Sequence, residues 1–276
     1  MSNKVDPNQW RLMIDPPASG SWNMAVDDAL LESAQVDGYL PTLRLYSWNP
    51  PCLSLGHAQH IREVDQAALK KMGWDLVRRP TGGRAILHID ELTYSITGNA
   101  EQPLLQGGIL ESYQKISQAF IQMLQKYSLD PRSREESQQI KNQIEPVCFE
   151  IPSNYEITVA GKKIIGSAQA RRKNAILQHG AIPLTGDISR IIKVLSYTDE
   201  DSRSLAAQRV LLRATTIEDQ TGKTVSWHQS ATDLVQAFEL THNMVFINGK
   251  LTEDEAASAK RIEQEKYGTK SWNERI

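Results

Sequence analysis

The chain has 276 residues, 40% of them apolar, with 31 Lys and Arg against 33 Asp and Glu for a net charge of −2. That length can bury a sizeable core, as one large domain or as a domain with a smaller appendage, and the near balance of charge gives no general push toward nucleic acid or membrane. No run approaches the roughly 18 apolar residues of a membrane span, and Met1 to Asn8 lacks the charged stub and apolar core of a signal peptide, so the expected compartment is the cytosol.

In chain order, Leu12 to Ile14 reads as a short strand, and Ser21 to Gln35 as an amphipathic helix. Thr42 to Tyr46 and Cys52 to Leu55 follow as strands on either side of Asn49-Pro50-Pro51, and Arg62 to Met72 reads as a helix ended by Gly73. Arg84 to His88 and Leu92 to Thr97 read as strands, the second alternating as a half-buried antiparallel strand does. Ile109, Tyr113, Ile116, Phe120, Met123 and Tyr127 step by three and four, which keeps them on one helix face. Such a stripe faces a core, and it can also wall an acyl pocket. Residues 128–146 read as a long polar loop, and residues 155–184 as a three-stranded meander. Helical patterns cover Ile188 to Leu195 and Val225 to Asn243. The tail from Thr252 carries a capping box with Glu255 and complements its own dipole, which predicts a surface helix.

The chemistry concentrates in a few places. Arg78-Arg79-Pro80-Thr81-Gly82-Gly83-Arg84-Ala85-Ile86-Leu87-His88 combines adjacent glycines with three arginines. Paired glycines suit a plain turn, but from Leu76 to Ile89 there is no carboxylate to match the arginines, which points to a loop for an anionic or polar ligand. From Ile157 to Gly186 there are Lys162, Lys163, Arg171, Arg172 and Lys173 and no acid. Edge protection explains Arg171 to Lys173, which fall in a turn. It explains Lys163 less well, because small residues follow it in Gly166-Ser167-Ala168 and would let a ligand lie against the backbone. Cys52 sits in an apolar run as a buried thiol would. Cys148 stands at the end of the long loop, where a neighbouring cation could make it a nucleophile. His88 and His179 each follow an apolar run, as core or ligand-contacting histidines do. No Cys-x-x-Cys pair or His/Cys cluster has metal-ligand spacing, and the nucleophile-elbow, Walker and dinucleotide glycine patterns are absent.

Three segments together resemble the lipoate ligase and octanoyltransferase superfamily: Arg78 to His88 with Glu91-Leu92-Thr93-Tyr94-Ser95, Gly161 to Gln169, and Leu177-Gln178-His179-Gly180. The tail, with Leu251-Thr252, Lys266-Tyr267 and Trp272-Asn273, is similar to tails in that group. The resemblance implies an α/β fold of the α+β kind, similar to the catalytic domain of biotin and lipoate protein ligases, with a mixed, largely antiparallel sheet flanked by helices. A catalytic domain over residues 1–248 would carry a short C-terminal helical extension, 249–276, packed on it. Arg79, Thr81, Gly82, Gly83, Arg84, His88, Gly166, Ser167, Ala168, His179 and Gly180 are then expected to bind substrate along an acyl tunnel. Cys148 and Lys163 are expected to be catalytic, since Phe149-Glu150-Ile151-Pro152-Ser153-Asn154-Tyr155-Glu156 is similar to the segment that follows the cysteine in one octanoyltransferase class. A second class places its cysteine near Ala168, where this chain has none. The implied reaction moves octanoyl from octanoyl acyl carrier protein through a Cys148 thioester to a lysine of a lipoyl domain, such as that of the glycine cleavage H protein or a 2-oxoacid dehydrogenase subunit. It needs no metal and no ATP, and a monomer suffices. Two alternatives stay open: an ATP-dependent lipoate or octanoate ligase with an inert Cys148, and a non-catalytic binder of lipoyl domains or acyl groups.

Overall fold

Two sheets with helices packed on them organise residues 6–133 and 156–276, the part of the chain that this computed structural model describes. The elements are β1 (Gln9–Ile14), α1 (Gly20–Ser33), β2 (Thr42–Tyr46), β3 (Cys52–Leu55), α2 (Gln66–Met72), β4 (Asp75–Arg78), β5 (Ile86–His88), β6 (Glu91–Asn99), α3 (Ile109–Lys126) and β7 (Pro131–Ser133). They continue with β8 (Glu156–Val159), β9 (Lys162–Arg172), β10 (Ala175–Pro183), a 3₁₀ turn at Ile188–Val194, α4 (Glu200–Arg213), α5 (Ile217–Thr221), α6 (Trp227–His242), β11 (Val245–Asn248), α7 (Glu253–Ile262), a π turn at Glu263–Tyr267 and α8 (Lys270–Asn273). The large sheet runs β11-β1-β2-β6-β10-β9-β8-β7, parallel at β11-β1 and β1-β2 and antiparallel elsewhere; the small one runs β4-β3-β5. This is the expected mixed, largely antiparallel α/β arrangement.

The meander forms as the alternation and turns predict. Gly161, at φ 77°, takes the left-handed backbone that joins β8 to β9, and β9 and β10 then pair from Arg172↔Ala175 to Gly166↔Ala181. The predicted α3 stripe is real over its middle: Tyr113 is buried, Ile116, Phe120 and Met123 join the main core, where Phe120 packs on Tyr94 and Phe238, and at its ends Tyr127 is half-buried and Ile109 exposed.

Other expectations change on burial. The alternation in β6 suggests one wet face, yet both faces are buried. Its Leu92, Tyr94 and Ile96 join the core with α3, whereas Thr93 and Ser95 belong to polar networks that include Asp27 of α1 and Trp48. Helix α1 is therefore not amphipathic: Gly20 and every residue from Asn23 to Leu31 are buried, with Asp27 and Asp28 among them. The helix expected from Arg62 starts only at Gln66, because the Asp65 carboxylate accepts from the Ala68 N–H and so caps it there. Pro131–Ser133 pairs with β8 inside the expected loop; residues 134–155 lie outside the described part. The surface helix expected after Thr252 has its capping box, but Glu255 is buried as well, gripping Arg11 of β1 through two 2.7 Å bonds.

Among the described residues no helix is long and apolar enough to cross a membrane.

Candidate active site

A cavity of about 570 Å³ opens between the two sheets. The small sheet and its loops contribute Ser54, Arg79, Gly82, Gly83, Arg84 and His88. The large sheet contributes Gly166, Ser167 and Ala168 from β9 and His179 and Gly180 from β10. Ten of the expected binding residues thus meet on one cavity. Thr81 is buried just behind them, its Oγ1 2.7 Å from His179 Nε2.

Small residues make this wall because nothing larger fits. A methyl group on Gly180 would lie 2.4 Å from the Gly166 carbonyl oxygen and 2.8 Å from the Tyr94 ring, and one on Gly166 would meet Lys163 Cε at 2.7 Å. Lys163 therefore runs beneath the Gly166 wall. Its Nζ ends 2.9 Å from Glu156 Oε1 on the neighbouring strand, with both side chains buried. The acid that answers the basic stretch stands one residue before it. Arg172 finds its own in Asp28 at 2.8 Å. Cys148, the expected nucleophile, lies outside the described residues. Cys52 is buried against Gly20, and burial pushes its thiol well above the ordinary value, as suits an inert thiol.

The arginine-rich loop differs most from its first reading. Arg79 donates to the carbonyls of Ser54, Gly82 and Arg84 and to Ser54 Oγ, so its fork shapes the loop around itself. Arg78, fully buried, donates to the carbonyls of Gly56, His57, Gln59, Trp272 and Asn273. Arg84 lies 3.4 Å from Glu63, an acid from outside the segment. The forks of Arg78 and Arg79 thus hold main chain, and Arg84 faces an acid.

Two histidine networks form the polar part of the cavity. His179 Nδ1 lies 3.3 Å from Asp27 Oδ2, and Asp27 also accepts from Arg44, Tyr46 and Ser95. Burial lowers the His179 pKa, against the pull of Asp27, so the ring is neutral. The hydrogen bonds assign its tautomer: Nδ1–H donates to Asp27, and Nε2 accepts from Thr81. Burial opposes ionisation of Asp27 in turn, but the His179 bond and the Arg44 charge hold its carboxyl below the usual range. His88 sits between Glu91 and Ser54 Oγ, 2.5 and 2.8 Å away, and its ring stacks on Trp48 at 4.0 Å. Trp48 in turn donates to Thr93 Oγ1.

Asp27, Tyr46, Trp48 and Ser54 were not singled out by the sequence, and Glu91 entered only as part of a quoted motif. Tandem acids inside an apolar helical stretch were the available sign for Asp27, since burial there demands cationic partners. Trp48 gave none beyond its place before Asn49-Pro50-Pro51. Chemically, the cavity offers apolar walls from Met24, Tyr46, Trp48, Ile86 and Ile109, with polar groups that already bond to one another. Among the described residues no cluster of His, Cys, Asp or Glu is placed to hold a metal ion.

Residues 19–239 match the lipoyl protein ligase A/B catalytic domain. The chain belongs to this family. Within it, the chain is 37% identical to a protein named octanoyltransferase LipM from Anoxybacillus flavithermus, over 98% of this chain and 99% of that one. Its identity to the octanoyltransferase LipM of Bacillus subtilis is 35%, over 96% and 98%. Among solved structures, the bi-partite lipoate protein ligase of Thermoplasma acidophilum superposes with a TM-score of 0.82 at 27% identity, covering 96% of each chain. A lipoate-protein ligase A bound with ATP gives 0.78 at 27% identity, over 96% and 98%. The superfamily resemblance carried by the three motifs is thereby confirmed.

Proposed function

We propose that this protein is an octanoyltransferase of protein lipoylation, moving an octanoyl group from octanoyl acyl carrier protein to a lysine of a lipoyl domain by way of a Cys148 thioester. The observation that carries the choice is the state of the cavity's cations. Of the groups that line it, the Arg79 fork donates to carbonyl and hydroxyl oxygens, Arg84 faces Glu63 and His179 is neutral. An uncharged acyl chain suits such walls, whereas a triphosphate would need donors turned toward it. The near full-length likeness to proteins named octanoyltransferase LipM supports the same reading.

The chemistry runs in two acyl transfers. The Cys148 thiolate bonds to the octanoyl carbonyl carbon, the carbon–sulfur bond to the carrier breaks, and the carrier thiolate takes up the proton that Cys148 lost. The neutral amine of the acceptor lysine then attacks the new thioester. Cys148 leaves as thiolate and recovers a proton as the amide forms. Lys163, held at the Gly166 wall by Glu156, supplies the positive charge that stabilises the thiolate and the oxyanion of each tetrahedral intermediate. The cavity holds the octanoyl chain between the Gly82-Gly83 loop and Gly166 to Ala168. The enzyme works as a monomer in the cytosol and draws on neither metal nor ATP.

Intact mass spectrometry after mixing with octanoyl acyl carrier protein, without ATP, tests this. Wild type gains one octanoyl adduct, lost on adding a lipoyl domain, and Cys148→Ala gains none. No adduct on wild type, or an adduct at the same site in Cys148→Ala, overturns the proposal; lipoylation that requires ATP would establish the ligase in its place.

A further inference from the structure

The extreme C-terminus reaches the loops of the cavity, and one buried arginine joins them. Trp272 Nε1 donates to the Arg78 carbonyl at 2.8 Å, and the Arg78 N–H donates to Asn273 Oδ1 at 2.8 Å. The Arg78 guanidinium then bridges the Trp272 and Asn273 carbonyls on one side to the Gly56, His57 and Gln59 carbonyls on the other. Arg275 donates to the His57 carbonyl, and the Ile276 carbonyl accepts from the Ile61 N–H. Trp272 is itself fixed between two cations, Lys266 Nζ at 4.3 Å and Arg275 Cζ at 4.2 Å from its ring centroid.

The 56–59 loop that the tail grips is part of the cavity wall, through Ala58 and Gln59. It also abuts the glycine loop: a methyl group on Gly56 would fall 1.8 Å from the Gly83 carbonyl oxygen, and the His57 N–H donates to the Thr81 carbonyl. Thr81 leads to His179. A continuous set of bonds therefore runs from the last residues of the chain to both loops that face the substrate.

We infer that Trp272–Ile276 is a positioning element of the acyl site, with Arg78 as its joint: the tail sets the spacing of loops 56–59 and 79–84 and so the fit of the acyl chain. This rests on the transferase reading only for what the cavity binds. The forked guanidinium is required, since it serves five carbonyls in two directions and a lysine ammonium has no planar fork to do so. Asn273 meets Arg78 through two acceptors, its Oδ1 and its carbonyl, while its Nδ2 donates to the Tyr267 carbonyl at 2.8 Å; alanine there removes both side-chain bonds, leaves the arginine in place and loosens the joint.

Two measurements on full-length variants decide it. In Asn273→Ala, amide hydrogen exchange is expected to quicken at residues 56–59 and 79–84 and to stay at the wild-type rate in β6 and β10. In octanoyl transfer, the same variant should raise KM for octanoyl acyl carrier protein about tenfold with kcat nearly unchanged, the sign of lost substrate positioning. Asn273→Asp, which keeps the acceptor for the Arg78 N–H and gives up only the donor to the Tyr267 carbonyl, should return both part of the way to wild type, and Arg78→Lys should behave as Asn273→Ala. Unchanged loop exchange in folded Asn273→Ala and Arg78→Lys overturns the inference. So does faster loop exchange with an unchanged KM, or an Asn273→Asp protein indistinguishable from Asn273→Ala. If wild type transfers no octanoyl group, the transferase reading falls, and the exchange measurement alone decides whether the tail holds the loops.

Discussion

His179 contributes to stability through its proton as well as its contacts. Its ring is neutral in the fold because burial lowers its pKa, while in the unfolded chain it titrates near 6.5. Between those values the unfolded state binds more protons, so stability is lost as pH falls through this window and is unaffected well above it. Asp27 adds a loss of the same sign, but at the lower pH where a depressed carboxyl finally protonates. His242, also lowered by burial, acts in the same window as His179. Urea midpoints from about pH 7.5 to about pH 5.5 should therefore fall for wild type, and fall less steeply, though still measurably, for His179→Gln. Equal slopes would show that His179 does not titrate differently on folding. At this scale the sequence was informative about identity and silent about partners. Arg79, His179 and Gly180 could be picked out, but whether an arginine fork faces a ligand or a carbonyl depends on how segments far apart in the chain come together.

Among the elements, α1 and α7 show why the helical readings needed correction. Both were judged by which side chains are charged, but Asp27 and Asp28 of α1 and Glu255 of α7 are buried because another element brings the opposite charge, while Glu253, Asp254, Lys260 and Arg261 of α7 stay on the surface as expected. Arg44 of β2 meets Asp27 and Asp15, Lys266 and Arg172 meet Asp28, and Arg11 meets Glu255. Glu255 also completes the capping box, so it holds Arg11 and the first turn of α7 at once. Glu255→Ala should cost about 3 kcal/mol or more, because the Arg11 charge would remain buried beside fewer acceptors. Thr252→Ala, which removes the cap alone, should cost about 1 kcal/mol. Equal costs by chemical denaturation would mean that the ion pair adds nothing to the cap. Strands were easier to read, since β6, β9 and β10 alternate and are bounded by turns. Helix α4 went unseen because Leu205, Leu211 and Leu212 are exposed, so its apolar positions do not fall on the buried face that periodicity looks for.

For the whole molecule, the placing of the cavity between two sheets matters more than any single contact. Its glycine loop belongs with β4-β3-β5, and its Gly166 to Ala168 wall belongs to the eight-stranded sheet. The motifs that are contiguous in sequence are thus the two opposite walls of one cavity, which is why they could be recognised separately while the space between them could not. Direct side-chain bonds join the walls at a few points, Thr81 to His179 among them. Ser54 and Ser167 have separate partners, Arg79 and His88 for the first and Tyr94 for the second. Thr81→Val and His179→Gln should therefore show a coupling energy of about 0.5–3 kcal/mol in a double-mutant cycle, whereas Ser54→Ala and Ser167→Ala should add to within about 0.5 kcal/mol. Coupling of the serine pair as strong as that of Thr81 and His179 would contradict this. Where additivity holds, each side of the cavity can accumulate substitutions without waiting for the other, and descendants of such a chain can change what they accept one wall at a time.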